Sequence, residues 1–104
     1  MKRGEVWDAD VGGKAGRRPI VVLTRSSAIP YLSKVVVAEV TTKGKGYPSQ
    51  VPIGQEGNLP RESWVSAESL YSLPKDRLLR YRGELSEITM RRVSDAVIFA
   101  LELS

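Results

Sequence analysis

Short runs of apolar and β-branched residues alternate along the chain with glycine, proline and polar residues. Such runs, bounded by turn-forming residues, predict β-strands. The predicted strands are residues 4–10, 20–24, 34–41, 50–53, 63–67, 70–73 and 79–85. Pro52 predicts that 50–53 is an edge strand, because proline has no N–H to donate to a central ladder. Segments 63–67 and 70–73 form either two short strands or one interrupted strand.

Helical spacing appears in the C-terminal segment. Ser86 is the predicted N-cap, and Glu87 places a negative charge in the first turn, where the helix dipole favours it. The apolar residues expected mostly on one face of this helix are Ile88, Val93, Val97, Ala100 and Leu101. A single helical turn is also predicted at 74–77, with Pro74 as its first residue.

The order of these elements predicts the fold class. A doubly wound parallel sheet needs alternating strands and helices, whereas here several strands precede one terminal helix. The pattern favours a mainly β protein: a small, curved antiparallel β-barrel with a C-terminal helix packed on it. A chain of 104 residues suffices for one modest core, so residues 1–104 are expected to form a single domain.

Two residue types that carry much of enzyme chemistry are missing. There is no cysteine, which excludes disulfides and thiolate chemistry, and no histidine, the commonest general base and metal ligand. No phosphate-binding loop, dinucleotide fingerprint or zinc-ligand spacing occurs, so neither a cofactor nor a metal is expected. No apolar run approaches the roughly 20 residues that span a bilayer. The N-terminal MKRGEVW is not followed by the apolar stretch of a secretory signal, so the cytosol is the expected compartment.

Basic residues are concentrated in the first half of the chain. Residues 1–50 carry nine Lys and Arg against four Asp and Glu, whereas residues 51–104 carry seven against eight. This asymmetry suits a polyanionic partner such as nucleic acid, although a solvated surface with a slight basic excess has the same signature.

Two residues at strand ends are candidates for phosphate chemistry. Arg18 precedes Pro19, which restricts the backbone of Arg18 to extended conformations and so directs its side chain. A guanidinium held in this way suits a forked grip on phosphate. Thr41 ends the 34–41 strand, and if that strand lies antiparallel beside 20–24, Thr41 and Arg18 meet at one rim. Taken alone, Arg18 also fits a solvated surface charge, and Thr41 an ordinary strand former.

A basic, glycine-punctuated loop follows Thr41. Lys43 and Lys45 have the charge to bind a nucleic-acid backbone and Tyr47 has a ring on which a base can stack, but the loop also fits an ordinary polar connection. Asp8 and Asp10 would lie on one side of the first strand, where a solvated role is expected. The residues alone therefore predict a small basic β-barrel with a surface suited to nucleic acid.

Five segments, in order and at suitable spacing, resemble the MazF/PemK family of toxin–antitoxin ribonucleases. They are KRGEVW (2–7), RPIVV (18–22), VAEVTT (37–42), YPSQV (47–51) and AESLYSLPKDRL (67–78). The resemblance runs from about residue 2 to the terminal helix, so it covers nearly the whole chain.

The resemblance implies an SH3-like barrel of the CcdB/PemK kind, and a homodimer whose paired surface binds single-stranded RNA. It implies metal-independent, sequence-specific RNA cleavage, neutralised by a cognate antitoxin. Arg18 matches the family's catalytic arginine, Thr41 its catalytic threonine, and segment 11–17 the flexible loop that closes on RNA or is held by the antitoxin. The residues expected to contact RNA are Lys14, Arg17, Thr42, Lys43, Lys45, Tyr47, Gln50 and Glu68.

The chain departs from the family pattern at two places. Some members use a histidine in the first loop, and this chain has none. Others carry an arginine and an aspartate in the strand that here reads Ser66-Ala67-Glu68, where Ser66 lacks the charge and Glu68 has a longer reach. The arginine–threonine version of the mechanism is therefore the one expected. The alternative is a non-enzymatic toxin of the same fold that poisons a protein such as DNA gyrase.

Overall fold

Six antiparallel strands in one sheet and a C-terminal helix make up the protein, in a computed structural model that describes residues 1–103. The elements are β1 (Glu5–Asp10), β2 (Arg17–Val22), β3 (Lys34–Thr41), β4 (Gln50–Gly54), β5 (Ser63–Pro74), β6 (Leu78–Glu84) and α1 (Glu87–Leu101). Single 3₁₀ turns lie at Ile29–Tyr31, Glu56–Asn58 and Lys75–Arg77. The predicted class, mainly β with a C-terminal helix, is confirmed. Within residues 1–103, no helix is long and apolar enough to cross a membrane.

The strand order across the sheet is β4-β5-β3-β2-β1-β6. Strands β4 and β6 stand at the two ends of this order, so in the described part of the chain the sheet is open and not a hydrogen-bonded barrel. The predicted edge position of 50–53 in β4 is confirmed. The turn predicted at 74–77 begins one residue later, because Pro74 is still the last residue of β5 and precedes the turn.

Strand β5 is one strand of 12 residues with an irregularity in it, so of the two predicted alternatives for 63–67 and 70–73 the single interrupted strand is confirmed. Its pairing with β3 shifts in the middle, where Ala38 lies opposite Leu70 while Glu39 lies opposite Ser66. The residues between them form a bulge, and a bulge bends the strand and increases its twist. Strand β5 pairs with β3 on both sides of the bulge, and with β4 only before it, over residues 63–66.

The 3₁₀ turn after β4 folds back onto the far edge of the sheet. Its Gly57, at φ +68°, lies so close to β1 that an added Cβ would stand 2.5 Å from Val6 Cγ2. A Cβ on Gly83 in β6 would likewise meet the backbone of Gly57 at 3.1 Å. Asn58 Nδ2 donates a hydrogen bond to the Arg82 carbonyl at 2.6 Å. The two edges are therefore joined by glycine packing and side-chain hydrogen bonds where a closed barrel would have a strand ladder.

Both faces of the sheet carry buried apolar side chains. One face packs against α1 through residues such as Val21, Val40 and Val65. The other face forms a second cluster with Ile20 and Val37 at its centre. Because β2 and β3 contribute to both clusters, both strands read as nearly continuous apolar runs.

Helix α1 begins as the sequence predicts, with the Thr89 N–H donating to Ser86 Oγ at 3.2 Å. Its buried residues are Thr89, Val93 and Ala96, and Met90, Val97 and Ala100 are packed at the margin. The expected burial of Ile88 and Leu101 is wrong, since they are 64% and 51% exposed. Ile88 stands about 100° around the helix from the buried Thr89, which faces it away from the sheet, whereas Leu101 lines an open cleft beside the helix.

Glu56 ties the 3₁₀ turn to the start of α1. Its carboxylate accepts from the Ser86 N–H at 2.9 Å and from the Thr89 hydroxyl at 2.6 Å. Burial acts to raise the pKa of Glu56, but these hydrogen bonds, with a smaller contribution from Arg92, outweigh it and hold the pKa below its ordinary 4.5.

Acid should therefore loosen this contact. A carboxyl whose pKa is depressed on folding stabilises the protein above its unfolded-state pKa, and the contribution is lost as the pH falls through its folded-state pKa. We expect Glu56→Gln to lower the free energy of unfolding by about 1–2 kcal/mol at pH 7, with the difference from wild type shrinking below pH 4.5. Denaturant unfolding from pH 7 to pH 3 measures this difference in the free energy of unfolding. The matched control is Glu84→Gln, which removes an exposed carboxylate that lies 3.4 Å from Lys2 Nζ. A difference that does not change with pH would contradict the assignment.

Candidate active site

The two candidate catalytic residues, Arg18 and Thr41, lie at the same rim of the sheet. Strands β2 and β3 pair as Val22↔Val37, Val21↔Ala38 and Ile20↔Glu39. Continued by two residues, this register sets Arg18 opposite Thr41. Both side chains line one cleft of about 300 Å³. Residues 23 positions apart in the sequence thus face the same space.

Arg18 belongs to strand β2, which begins at Arg17 and not, as the sequence predicted, at residue 20. The extension exists because β1 continues to pair with β2 through Ala9↔Arg18 and Asp10↔Arg17. On the other side the ladder to β3 ends at Ile20, since Pro19 has no N–H to donate. Consecutive residues of a strand face opposite sides, so Arg17 and Arg18 point away from each other.

Thr41 ends β3 and starts the basic loop. Its Oγ1 accepts a hydrogen bond from the Lys43 N–H at 3.1 Å, which orients the side chain and leaves the hydroxyl proton available. Thr42 and Lys43 line the same cleft, so two of the predicted RNA-contacting residues lie beside the candidate catalytic pair.

The rest of the basic loop is held by contacts outside the cleft. Gly44 lies flat on the Trp64 ring, where a Cβ would come within 2.2 Å of an indole carbon. The Lys45 N–H donates to Gln50 Oε1 at 2.7 Å, so the side chain of Gln50 is used to anchor the loop. Tyr47 is 54% exposed. A glycine is therefore required at position 44 by the indole beneath it.

The opposite wall of the cleft comes from the segment before β5, which held no predicted site residue. Leu59, Pro60, Arg61 and Ser63 line it. Ser63 Oγ donates to the Arg61 carbonyl at 2.8 Å and so braces this segment. Arg61 adds a second guanidinium to a cleft that already holds Arg18 and Lys43. The sequence signal for Arg61 was the Pro60-Arg61 step just before a strand, which has the two residue types of the Arg18-Pro19 step in reverse order.

A carboxylate also lies beside Arg18. Glu39 Oε1 is 3.9 Å from Arg18 Nη1, and Glu39 Oε2 accepts a hydrogen bond from the Tyr71 hydroxyl at 2.9 Å. That hydrogen bond, with burial and the negative charge of Glu39, raises the pKa of Tyr71. Neither residue was a candidate in the sequence, because strand periodicity does not show which side chains of different strands meet.

The remaining expected RNA contacts do not line this cleft. They are Lys14, Arg17, Lys45, Tyr47, Gln50 and Glu68. Lys14 is in the exposed turn between β1 and β2, where the Val11 N–H donates to the Gly16 carbonyl at 2.9 Å. Glu68 is exposed in the bulge of β5. Any role of these residues in RNA binding requires a surface wider than the cleft.

The solvated role expected for Asp8 is wrong. Its side chain is 14% exposed, and its Oδ1 accepts from Arg82 Nε at 2.7 Å. Asp10 accepts from the Gly12 N–H at 2.9 Å and lies 3.5 Å from Arg77 Nη1. Both aspartates of β1 are thus engaged in contacts of their own. Among residues 1–103, no group of three or more carboxylates is close enough to hold a metal ion.

The chain matches the model of a known protein family. The family described as PemK-like, MazF-like toxin of type II toxin–antitoxin system matches residues 2–101. The chain is 38% identical over 103 residues to the probable endoribonuclease MazF5 of Mycobacterium tuberculosis, covering 98% of this chain and 94% of that protein. It is 30% identical over 101 residues to the endoribonuclease MazF1 of Mycobacterium bovis, covering 97% of this chain and 92% of that protein.

Solved structures give the same result at the level of the fold. An endoribonuclease from a mycobacterial species, in complex with its cognate antitoxin, superposes with a TM-score of 0.89 at 29% identity, covering 100% of this chain and 97% of that one. The Mycobacterium tuberculosis toxin MazF-mt6 superposes with a TM-score of 0.88 at 28% identity, covering 96% of this chain and 98% of that one.

Proposed function

This chain belongs to the family of PemK-like, MazF-like toxins of type II toxin–antitoxin systems, and we propose that it cuts single-stranded RNA in the cleft between Arg18 and Thr41. The observation that carries the proposal is the cleft itself, because a guanidinium and a hydroxyl from two strands face the same space. The named relatives are endoribonucleases. We place the activity in the cytosol, where its RNA substrate is.

The reaction follows from the chemistry of RNA. The ribose 2′-OH is an internal nucleophile already tethered beside the phosphorus. The protein therefore needs to orient the phosphate, stabilise the transition state and help to move protons. Arg18 binds the non-bridging phosphate oxygens and stabilises the charge that grows in the transition state. Thr41 donates its hydroxyl proton to a phosphate oxygen. The products are a 2′,3′-cyclic phosphate and a 5′-OH.

Positive charge around the cleft supports the choice of substrate. Lys43 and Arg61 line it together with Arg18, and three cations around one cleft attract a polyanionic backbone. The exposed Tyr47 lies on the adjoining loop and offers a ring on which an unpaired base can stack. Only a single-stranded segment exposes its bases in this way. We assign the sequence specificity of cutting to the surface formed by the cleft and the adjoining loop with Tyr47.

The test is cleavage of a long mixed RNA by the purified protein in EDTA, with both fragment ends mapped. We expect cuts at a short recurring sequence, with 5′-OH and cyclic phosphate ends. A DNA strand of the same sequence should be bound and left intact, because it lacks the nucleophile. Intact RNA would overturn the proposal and favour a non-enzymatic toxin that poisons a protein such as DNA gyrase.

Replacing Thr41 with valine tests the role of its hydroxyl. Valine has nearly the same shape, so β3 is preserved, but a donor to the phosphate is lost. We expect kcat to fall by about 10- to 100-fold, the value of one hydrogen bond to a charged group, with a smaller change in affinity for a 2′-deoxy analogue. Single-turnover cleavage and fluorescence binding measure the two quantities. An unchanged kcat would assign Thr41 to strand packing and to holding the Lys43 N–H.

A cognate antitoxin is the proposed regulator. The mycobacterial endoribonuclease that this chain resembles was solved with its own antitoxin. We propose that an acidic, partly disordered antitoxin segment occupies the basic surface around the cleft and so competes with RNA. Titration of the antitoxin against labelled RNA should show mutually exclusive binding, and a ternary complex that retains full RNA affinity would contradict it.

The proposed working form is a homodimer. An apolar cleft of about 470 Å³ lies between the sheet and α1, and its lining includes Leu23, Val97, Val36, Ile98 and Leu101, of which the last three are at least 37% exposed. An exposed apolar surface of this kind is typical of a protein–protein interface. Light scattering of the purified chain measures the oligomeric state, and a monomer at micromolar concentration would contradict the proposed homodimer.

A further inference from the structure

The carboxylate next to Arg18 has no part in the arginine–threonine mechanism described above. We infer that Glu39 is the general base of RNA cleavage, held in position by Tyr71. The inference rests on the proposed function and adds to it the group that removes the proton from the 2′-OH.

The two oxygens of Glu39 have different surroundings. Oε2 accepts the hydrogen bond from the Tyr71 hydroxyl at 2.9 Å. The Tyr71 hydroxyl, whose pKa lies above its ordinary 10.0, is protonated and donates at neutral pH, as any tyrosine does. Oε1 faces Arg18 Nη1 at 3.9 Å, beyond hydrogen-bond distance, and no other group of residues 1–103 donates to it. One oxygen is therefore fixed, and the other is free to accept a proton.

The position of Glu39 on β3 directs it toward the site. Residues at i and i+2 of a strand lie on the same side, so Glu39 and Thr41 share a face about 7 Å apart along the strand. Glu39 is 18% exposed in its side chain, while Arg18 is 45% exposed. The carboxylate thus lies deeper than the Arg18 side chain that it contacts, on the same side of the sheet as Thr41 and next to the residues that line the cleft.

If the site only bound RNA, the negative charge of Glu39 beside Arg18 would be unfavourable. It reduces the positive potential of Arg18, which a polyanion needs, and a partly buried carboxylate loses hydration. A base is what the reaction still lacks, because the chain contains no histidine. The neighbouring aspartates of β1 are engaged elsewhere, Asp8 with Arg82 and Asp10 with Gly12 and Arg77. Glu39 is the carboxylate that contacts Arg18.

The proposed step balances as follows. Glu39 Oε1 takes the proton of the 2′-OH while the O2′ electron pair forms the bond to phosphorus. The bond between phosphorus and O5′ breaks, its electron pair stays on O5′, and O5′ takes a proton from water. The hydroxide so formed is neutralised by the proton that Glu39 releases before the next turnover.

The principal test is Glu39→Gln, which keeps the shape and the acceptor for Tyr71 but cannot take a proton. We expect kcat to fall by about 10²- to 10⁴-fold, the usual contribution of general acid–base catalysis, with affinity for a 2′-deoxy analogue equal to or above that of wild type. Glu39→Asp should recover part of the rate, because it retains a carboxylate with shorter reach. Glu84→Gln, which removes an exposed carboxylate of β6, is the matched control and should cleave as wild type does.

The pH dependence of kcat separates a base from a positioning residue. Wild-type kcat should fall at acid pH as one carboxylate is protonated, and the residual activity of Glu39→Gln should lack this acid limb. Arg18 from β2 and Tyr71 from β5 are the charged and titratable side chains that contact Glu39, and Trp7 and Val11 of β1 in the same cluster are neutral. Tyr71→Phe should lower kcat by about tenfold, the value of one hydrogen bond to a charged group. Affinity for the 2′-deoxy analogue should stay as in the wild type, because Tyr71 contacts Glu39 and does not line the cleft.

The outcomes separate this inference from the proposed function. If the wild type leaves RNA intact, the proposed function fails. If the wild type cuts and Glu39→Gln cuts equally fast, Glu39 has no role and the inference alone is overturned. The inference is also overturned if Glu39→Gln is slow but keeps the acid limb, because Glu39 would then act by positioning Arg18. Circular dichroism and melting temperatures verify that each variant is folded.

Discussion

Replacing Arg18 with alanine is expected to lower kcat for RNA cleavage by at least about 10²- to 10³-fold, the usual loss when one donor to a developing charge is removed. The protein should remain folded, because the Arg18 side chain is 45% exposed and its one ion pair, with Glu39 at 3.9 Å, is too long to add much stability. Arg18→Lys should recover little activity, since an ammonium cannot make the forked contact with two phosphate oxygens.

Single-turnover cleavage and binding of a 2′-deoxy analogue separate lost chemistry from lost affinity. Arg25→Ala removes the same charge from an exposed position beyond the far end of β2 and serves as the matched control. We expect both variants to lose some affinity through charge alone, but only Arg18→Ala to lose kcat. If Arg18→Ala and Arg25→Ala cleave RNA with equal kcat, Arg18 has no part in the mechanism.

Replacing Gly57 with alanine should have the largest effect on stability. The backbone of Gly57 is left-handed, at φ +68°, and the new Cβ would stand 2.5 Å from Val6 Cγ2 in the buried core. The conformation costs about 1–2 kcal/mol, and a methyl forced into a packed core a further 1–3 kcal/mol. We therefore expect the free energy of unfolding to fall by about 2–5 kcal/mol.

Gly46 provides a control for the cost of placing alanine in a left-handed backbone conformation. It has nearly the same conformation, at φ +71°, but a Cβ there would meet nothing within 4 Å. Gly46→Ala should therefore lose only the conformational part, and urea unfolding of both variants gives the difference directly. If the two substitutions destabilise equally, the contact between the turn and β1 is not what joins the edges of the sheet.

Much of the fold was predictable, because the information is local. The limits of β3 and the N-cap of α1 follow from the residues themselves: a β-branched run, and a serine three residues before a buried threonine. The predictions that are wrong concern neighbours. Asp8 is partly buried against Arg82, 74 residues away, and Ile88 is exposed because the sheet meets α1 on a slightly different stripe.

The candidate site divides in the same way. Arg18 and Thr41 were identifiable because each stands at a strand end with a local reason to be there, a following proline or a following loop. Arg61 was missed although the Pro60-Arg61 step offered a local signal. Glu39 and Tyr71 offered none, since the role of each depends on a side chain of another strand. The residue types of all three, taken alone, fit an ordinary surface charge, a strand carboxylate and a core aromatic.

The sequence by itself determined the β-rich class, the terminal helix, the basic first half and the resemblance to a toxin family, since all of these depend on residue type and spacing. Only the tertiary structure decided that the sheet stays open and is joined by Gly57, and that a carboxylate stands beside Arg18. The physical reason is that register between strands, set by the bulge in β5 and the end of the ladder at Pro19, determines which side chains share a space. Register is a property of pairs of strands, and no single segment of the chain contains it.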